Sequence, residues 1–311
     1  MSMDLLETSL QTAVVGATPI LLAATGELLV EKTGVYNVGI EGIILIGALF
    51  GFIAGNETGS FLVAMGAGLL SGILGAAVFA LIGVILGGEL VIVGLGIVFA
   101  ALGLTQVLGV DYVQQASGVN VPAIDVPGLA ELPVIGPVLF DQPVMVYVAI
   151  ALPLLAGLML TRTRHGLNLR SSGEDPESAF ALGVNVTRMR VLYVLVGGAL
   201  AGLAGAFLSI GVVGTWVPNV SGGQGWLAFA IVIFAGWRPV LLIPGALLFG
   251  GLGTLGNVGQ ALGWSVPSQV FTALPYIGTL LVLLVAAKLR VGRGLDVPWP
   301  TALGRPFIRG G

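Results

Sequence analysis

Cysteine is absent from the 311 residues, so neither a disulfide nor a thiolate metal site can form. Histidine occurs once, at His165, which removes histidine-based metal sites and a Ser-His-Asp triad from consideration. His165 stands among Arg162, Arg164 and Arg170 and reads as a solvated loop residue. Charge is scarce too: 9% of residues are Asp, Glu, Lys or Arg, against roughly a quarter in soluble domains. A water-soluble fold could not cover its surface with so few charges. No G-x-x-x-x-G-K-[ST] occurs, which excludes ATP binding by a P-loop. The N-terminus lacks the basic segment and small-residue cleavage site of a removable signal peptide.

Hydrophobic residues, by contrast, make up 56%, the mean hydropathy is +1.05, and there are 50 glycines. Repeated apolar runs of this kind are membrane helices, and glycine lets such helices approach closely in lipid. The expectation is a single all-α domain, a polytopic bundle of about nine transmembrane helices. The runs cover 10–30, 40–54, 61–86, 90–110, 144–160, 191–213, 225–235, 240–255 and 270–287. A long polar, Pro-rich segment occupies 111–142 and a charged loop covers 161–190.

Orientation follows from lysine and arginine, which favour the cytoplasmic side. With the N-terminus outside and the C-terminus inside, all 12 basic residues fall on one side. The other side then carries Asp4, Glu7, Glu57, Asp111, Asp125, Glu131 and Asp141 with no basic residue. The runs divide as four, one and four, and each group of four opens with a long helix and a similar turn. VYNVGIEG begins at Val35 and VPNVSGGQG at Val217. The charge argument puts the first turn on the cytoplasmic face and the second outside, as an inverted repeat requires.

Carboxylates in apolar runs are costly and face a protein interior or a wet cavity. Glu31 adjoins Lys32 and suits a local role at the membrane edge; Glu27, a turn deeper, could cap backbone donors at the following break. Asn37 and Glu41 either brace that break or line a solute path. Around the second break, Trp216, Asn219, Gln224 and Trp226 could stack on and hydrogen-bond a solute, or the tryptophans could anchor at the interface. Glu89 sits at a tight turn and reads as structural.

The 161–190 loop contains helix punctuation. Asp175-Pro176 marks a start, with Glu174 and Glu177 suited to its positive end, and Gly183 marks a stop. Ala179 and Gly183, four apart, share a face that leaves room for a partner. E-S-A-x-x-x-G (177–183) resembles the EAA-x-x-x-G coupling motif of ATP-binding cassette (ABC) importer permeases. The preceding G-x-x-L-R-x-x-G-E-x-P (166–176), which includes Arg170, is similar to the branched-chain amino acid and simple sugar branch. TPILLAATGELLVEKTGVYNVGIEGIILIGA (18–48), LPVIGPVLFDQPVMVYVAI (132–150) and GWLAFAIVIFAGWRPVLLIPGALLFG (225–250) resemble nucleoside-type permeases of that branch.

The resemblance implies a non-catalytic translocation subunit in the cell membrane. It implies a separate ATPase that uses ATP and magnesium, a second permease, identical or related, and an external substrate-binding lipoprotein. No cofactor and no nucleic acid polymer is expected on this chain. Free sugars or branched-chain amino acids are the alternative solutes. An ion-coupled secondary transporter would show paired acids in mid-span, and an uncoupled channel would not need the charged loop.

Overall fold

The computed structural model describes residues 3–125, 127–131, 133, 135–262, 267, 270, 273–274, 277–278, 280–281, 284, 300–305 and 307. The chain runs α1 (Met3–Glu31), α2 (Ile40–Thr58), α3 (Phe61–Phe79), α4 (Leu90–Leu108), β1 (Ala123–Asp125) and α5 (Ile135–Phe140). It continues through β2 (Asp141–Pro143), α6 (Val144–Arg162), α7 (Arg164–Glu174), α8 (Pro176–Ala181), α9 (Val186–Phe207), α10 (Gln224–Phe234) and α11 (Leu242–Ala261). A π-helical turn extends α3 through Ala80–Ile85 and another extends α9 through Leu208–Val213. The fold is a helical membrane bundle, as expected. Its sheet, among the described residues, is one antiparallel pair, β1 with β2, inside the polar 111–142 segment.

Seven helices among the described residues are long and apolar enough to cross a bilayer. The expected count of nine departs from this at two places. The 225–235 run forms α10, which has 11 residues. At 1.5 Å per residue it rises roughly 16 Å, about half a hydrocarbon core. Ten of the 18 residues of the 270–287 run lie outside the described residues, so this expected span is not assigned.

At the centre, α1, α2, α3 and α9 pack through small residues. A methyl on Gly202 of α9 would overlap the Gly68 carbonyl of α3, and one on Gly72 would overlap the Gly198 carbonyl. Lipid is as apolar as leucine, so close packing of this kind supplies the attraction between helices. The seam also orders the layers. α1 is enclosed, with Leu22, Leu28 and Val30 wholly buried. α3 turns Leu70, Leu74, Val78, Leu81 and Ile85 outward at helical spacing. α4 does the same with Ile92, Phe99 and Val107.

Two sets of contacts divide the ends of the bundle. Gln11 Nε2 donates to the Pro137 carbonyl at 3.1 Å, which joins the start of α1 to α5. On the other side, residues 300–305 form a strap over α7. The Ala302 amide donates to the Gly173 carbonyl and the Gly304 amide to the Gly34 carbonyl, each at 2.9 Å. The Thr301 hydroxyl donates to the Glu174 carbonyl.

Candidate functional site

The two helix breaks meet inside the molecule, although sequence places them on opposite faces. After Gly34 (φ +89°) the chain runs back along α1, and the Asn37 amide donates to Glu27 Oε1 at 2.7 Å. Asn37 is 1% exposed, and its own Oδ1 accepts from the Gly39 amide at 3.0 Å. These bonds satisfy backbone groups that lipid cannot. Ile40 then opens α2 and turns Glu41 toward the second break.

Glu41 holds that break by three bonds. Its Oε1 accepts from the Ser221 hydroxyl at 2.6 Å and from the Gly223 amide at 2.9 Å. Its Oε2 accepts from the Gly225 amide at 2.7 Å. The amides belong to the N-terminus of α10, the helix end that favours negative charge. Only glycine fits at 225, because a Cβ there would stand 2.6 Å from Glu41 Cα. The far end of α10 is held as well: Trp237 Nε1 donates to Glu31 Oε2 at 2.5 Å. A half-length helix is thus suspended between two carboxylates of the first half of the chain.

The other path candidates scatter. Trp216 is fully buried and packs on Phe52 at 6.0 Å between ring centroids. A methyl on Gly109 would overlap its indole nitrogen, so Trp216 occupies a packing position. Asn219 is exposed, with φ +57°, in the turn before α10. Gln224 is half-buried, and its Oε1 has no hydrogen-bond partner among the described residues. Trp226 is exposed. Sequence reasoning missed Ser221, Gly223 and Trp237 as partners of the acids.

The charged loop forms two helices where sequence marks one. Thr163 caps α7 by accepting from the Gly166 amide at 3.0 Å, and Gly166, Leu169, Ser172 and Gly173 are buried. Arg170 and Glu174 lie on its exposed side. Lys32 is nearly buried close by; burial lowers its pKa while Glu174 pulls the other way. Asp175 caps α8: its Oδ1 accepts from the Ser178 amide at 3.1 Å and its Oδ2 from the Ser178 hydroxyl at 2.5 Å. Those bonds hold the Asp175 carboxyl below its usual pKa. Pro176 takes the first helical position, where its missing amide costs nothing. Gly183, at φ +89°, ends the helix, with the Val184 amide donating to the Ala179 carbonyl at 3.0 Å.

One expectation changes here. Ala179 is buried against the chain itself, so it anchors α8 rather than presenting a face to a partner. The outward surface consists of Glu177, Ser178 and Leu182, which is 86% exposed, and Gly183 opens onto empty space. Glu89 caps α4, accepting from the Ile92 amide at 2.8 Å. His165 packs beside Tyr193, with 5.7 Å between ring centroids.

No group of three or more His, Asp or Glu among the described residues could hold a metal ion. The arrangement is a multi-pass membrane bundle with a half-length helix starting in its interior and a capped helix pair at one end. This is the class of membrane translocation subunits. Residues 9–286 match the model for the family described as branched-chain amino acid transport system / permease component, and the chain belongs to that family.

Relatives share its length. TsgC13 of Haloferax volcanii, provisionally named a glucose ABC transporter permease, is 36% identical over 93% of this chain and 94% of its own. The guanosine ABC transporter permease NupQ of Bacillus subtilis is 32% identical over 94% of each chain. The nucleoside ABC transporter permease NupC of Lactococcus lactis is 33% identical over 86% of this chain and 88% of its own. Among solved structures, an inward-facing ABC transporter provisionally assigned to the metal-chelate type matches 91% of this chain and 85% of its own. The identity there is 19% and the TM-score 0.49.

Proposed function

We propose that this chain is the pore-forming permease subunit of an ABC importer for nucleosides or related ribose-containing solutes. The observation that carries the reading is α8, capped at both ends and projecting Leu182 and Gly183 from one end of the bundle. A separate ATPase, using ATP and magnesium, docks there. Arg170, Glu174 and Glu177 form the charged surround of that contact. ATPase motion passes through α7 and the strap to the Gly34 turn, and so to the suspended α10. A second permease completes the path, and an external lipoprotein delivers solute to the 111–142 segment. The N-terminus lies outside and the C-terminus in the cytoplasm, in keeping with the placement of the basic residues. Reporter fusions at the two termini test that orientation.

The names of NupQ and NupC support nucleosides as the solute. Membrane vesicles holding the whole complex should take up labelled guanosine, with unlabelled nucleosides competing and glucose or leucine not. Competition by glucose alone would select the sugar reading that the name of TsgC13 favours. Gly183→Trp tests the coupling. It should leave membrane insertion intact while abolishing co-purification with the ATPase and uptake. Normal uptake by that variant would end the assignment of α8.

A further inference from the structure

The end of the bundle that carries α7, α8 and the strap also holds a cleft that the transport reading leaves unused. Its larger part, about 630 Å³, lies between Ile85 and Leu86 at the end of α3, Phe180 of α8, and Arg188 and Val191 of α9. Its smaller part, about 210 Å³, continues past the shared Val84, Gly87 and Phe307 to Glu89, Arg190 and Arg305. The walls are apolar and the rim is basic.

Three observations point to an occupant. First, the outward row of α3 (Leu70, Leu74, Val78, Leu81, Ile85) leads directly into the cleft at Leu86, which is 70% exposed. The cavity is therefore open sideways to the hydrocarbon that covers α3. Second, the rim carries surplus positive charge. Arg188 and Arg305 are exposed. Arg190 is 4% exposed; its Nε donates to the Thr33 carbonyl at 3.2 Å and its Nη1 to the Arg305 carbonyl at 3.0 Å. Its Nη2 has no hydrogen-bond partner among the described residues. Third, Glu89, the acid on the lining, is already engaged in capping α4.

We propose that this cleft binds an anionic phospholipid, with its phosphate at Arg188 and Arg305 and an acyl chain along Leu81 and Ile85. Basic pockets between membrane helices suit anionic headgroups. Water in the apolar part would lack hydrogen-bond partners. An ATPase approaches from the aqueous side and brings no apolar surface to the depth of Leu81. The Phe307 ring packs at a tilt against Phe180, 5.8 Å between ring centroids, and lies 6.0 Å from the Arg190 guanidinium. The lipid would thus sit where the strap meets α8, and its presence would stiffen that junction.

The test uses the intact transporter complex in phosphatidylcholine nanodiscs doped with phosphatidylglycerol, with retained lipid read by native mass spectrometry. The wild type should retain phosphatidylglycerol in preference to phosphatidylcholine. Each arginine near an anionic surface is worth about fivefold, so Arg188→Ala with Arg305→Ala should lose roughly 30-fold of that preference. The Arg188→Lys, Arg305→Lys pair should keep most of it. All four substitutions are at exposed positions, and Arg188→Ala alone should show a partial loss. Equal retention of phosphatidylglycerol by the double alanine variant would overturn the proposal. Equal retention of phosphatidylcholine by the wild type would also overturn it. Displacement of the lipid by inorganic phosphate would show a free-anion site instead. Loss of ATPase co-purification with lipid retention unchanged would mark the cleft as a protein-docking surface.

Discussion

Glu41 and Glu57 stand at opposite ends of one helix, α2, and have opposite surroundings. Glu41 is 6% exposed and accepts from Ser221, Gly223 and Gly225. Glu57 is exposed and accepts one bond, from the Tyr112 hydroxyl at 3.0 Å. The same carboxylate is a structural clamp at one end and a solvated charge at the other. What separates them is the number of donors and the absence of water. A buried acceptor removed leaves its donors stranded, whereas an exposed one is replaced by solvent. The difference also explains how a half-length helix can begin inside the bundle: its free amides are satisfied by a side chain from a distant helix.

The largest effect should come from Glu41→Ala. It strands two backbone amides and one hydroxyl, at about 1–3 kcal/mol each, or on the order of 3–9 kcal/mol together if the three add. We expect a large drop in the thermal midpoint of the detergent-solubilised permease and loss of uptake. Glu41→Gln, which keeps an acceptor but loses the charge, should fall between. If Glu41→Ala melts and transports like the wild type, the interior clamp does not exist and the comparison collapses.

Glu31→Ala should cost less, because one donor, the Trp237 indole, loses its partner. Roughly 1–2 kcal/mol is expected, seen as a smaller drop in midpoint. Ser221→Ala removes one of the three Glu41 bonds and should cost about 1 kcal/mol. An ordering in which Ser221→Ala exceeds Glu41→Ala would place the weight of the break on the serine instead.

How much of this is legible in the sequence depends on distance along the chain. The bond from the Ile92 amide to Glu89 spans three residues and that from the Asn37 amide to Glu27 spans ten; Glu89 reads as structural from its setting, and capping of the following break is one of the readings the sequence offers for Glu27. Pro176 and Gly183 likewise mark α8 locally. The bonds from Glu41 to Ser221 and from Glu31 to Trp237 span 180 and 206 residues, and no local pattern announces them. Those pairings exist only once helix packing has set the layers. α7 escapes a sequence reading because its arginines mask the buried spacing of Gly166, Leu169 and Ser172. α10 reads as a full crossing because composition reports that a run is apolar, while an 11-residue helix is too short to cross alone. Ala179 reads as outward because helical spacing gives relative faces, not which face the rest of the chain covers.

The smallest effect should come from the exposed end of α2, and it sharpens the comparison through pH. The Tyr112 hydroxyl donates to Glu57, and that bond, with the carboxylate charge close by, holds the Tyr112 pKa above its usual 10.0. A raised folded-state pKa means that the stabilisation is fully present below the unfolded tyrosine value and is lost as pH rises through the folded one. Nothing should therefore change near neutrality. Glu57→Gln should leave uptake and thermal midpoint at pH 7 within error of the wild type. It should lower the Tyr112 pKa toward 10, measurable by ultraviolet absorbance on alkaline titration, with Tyr112→Phe identifying the signal. A loss of uptake at pH 7 would show that the outer end of α2 matters to transport as much as the inner one. The contrast between an enclosed carboxylate and a solvated one would then no longer explain how this chain uses its acids.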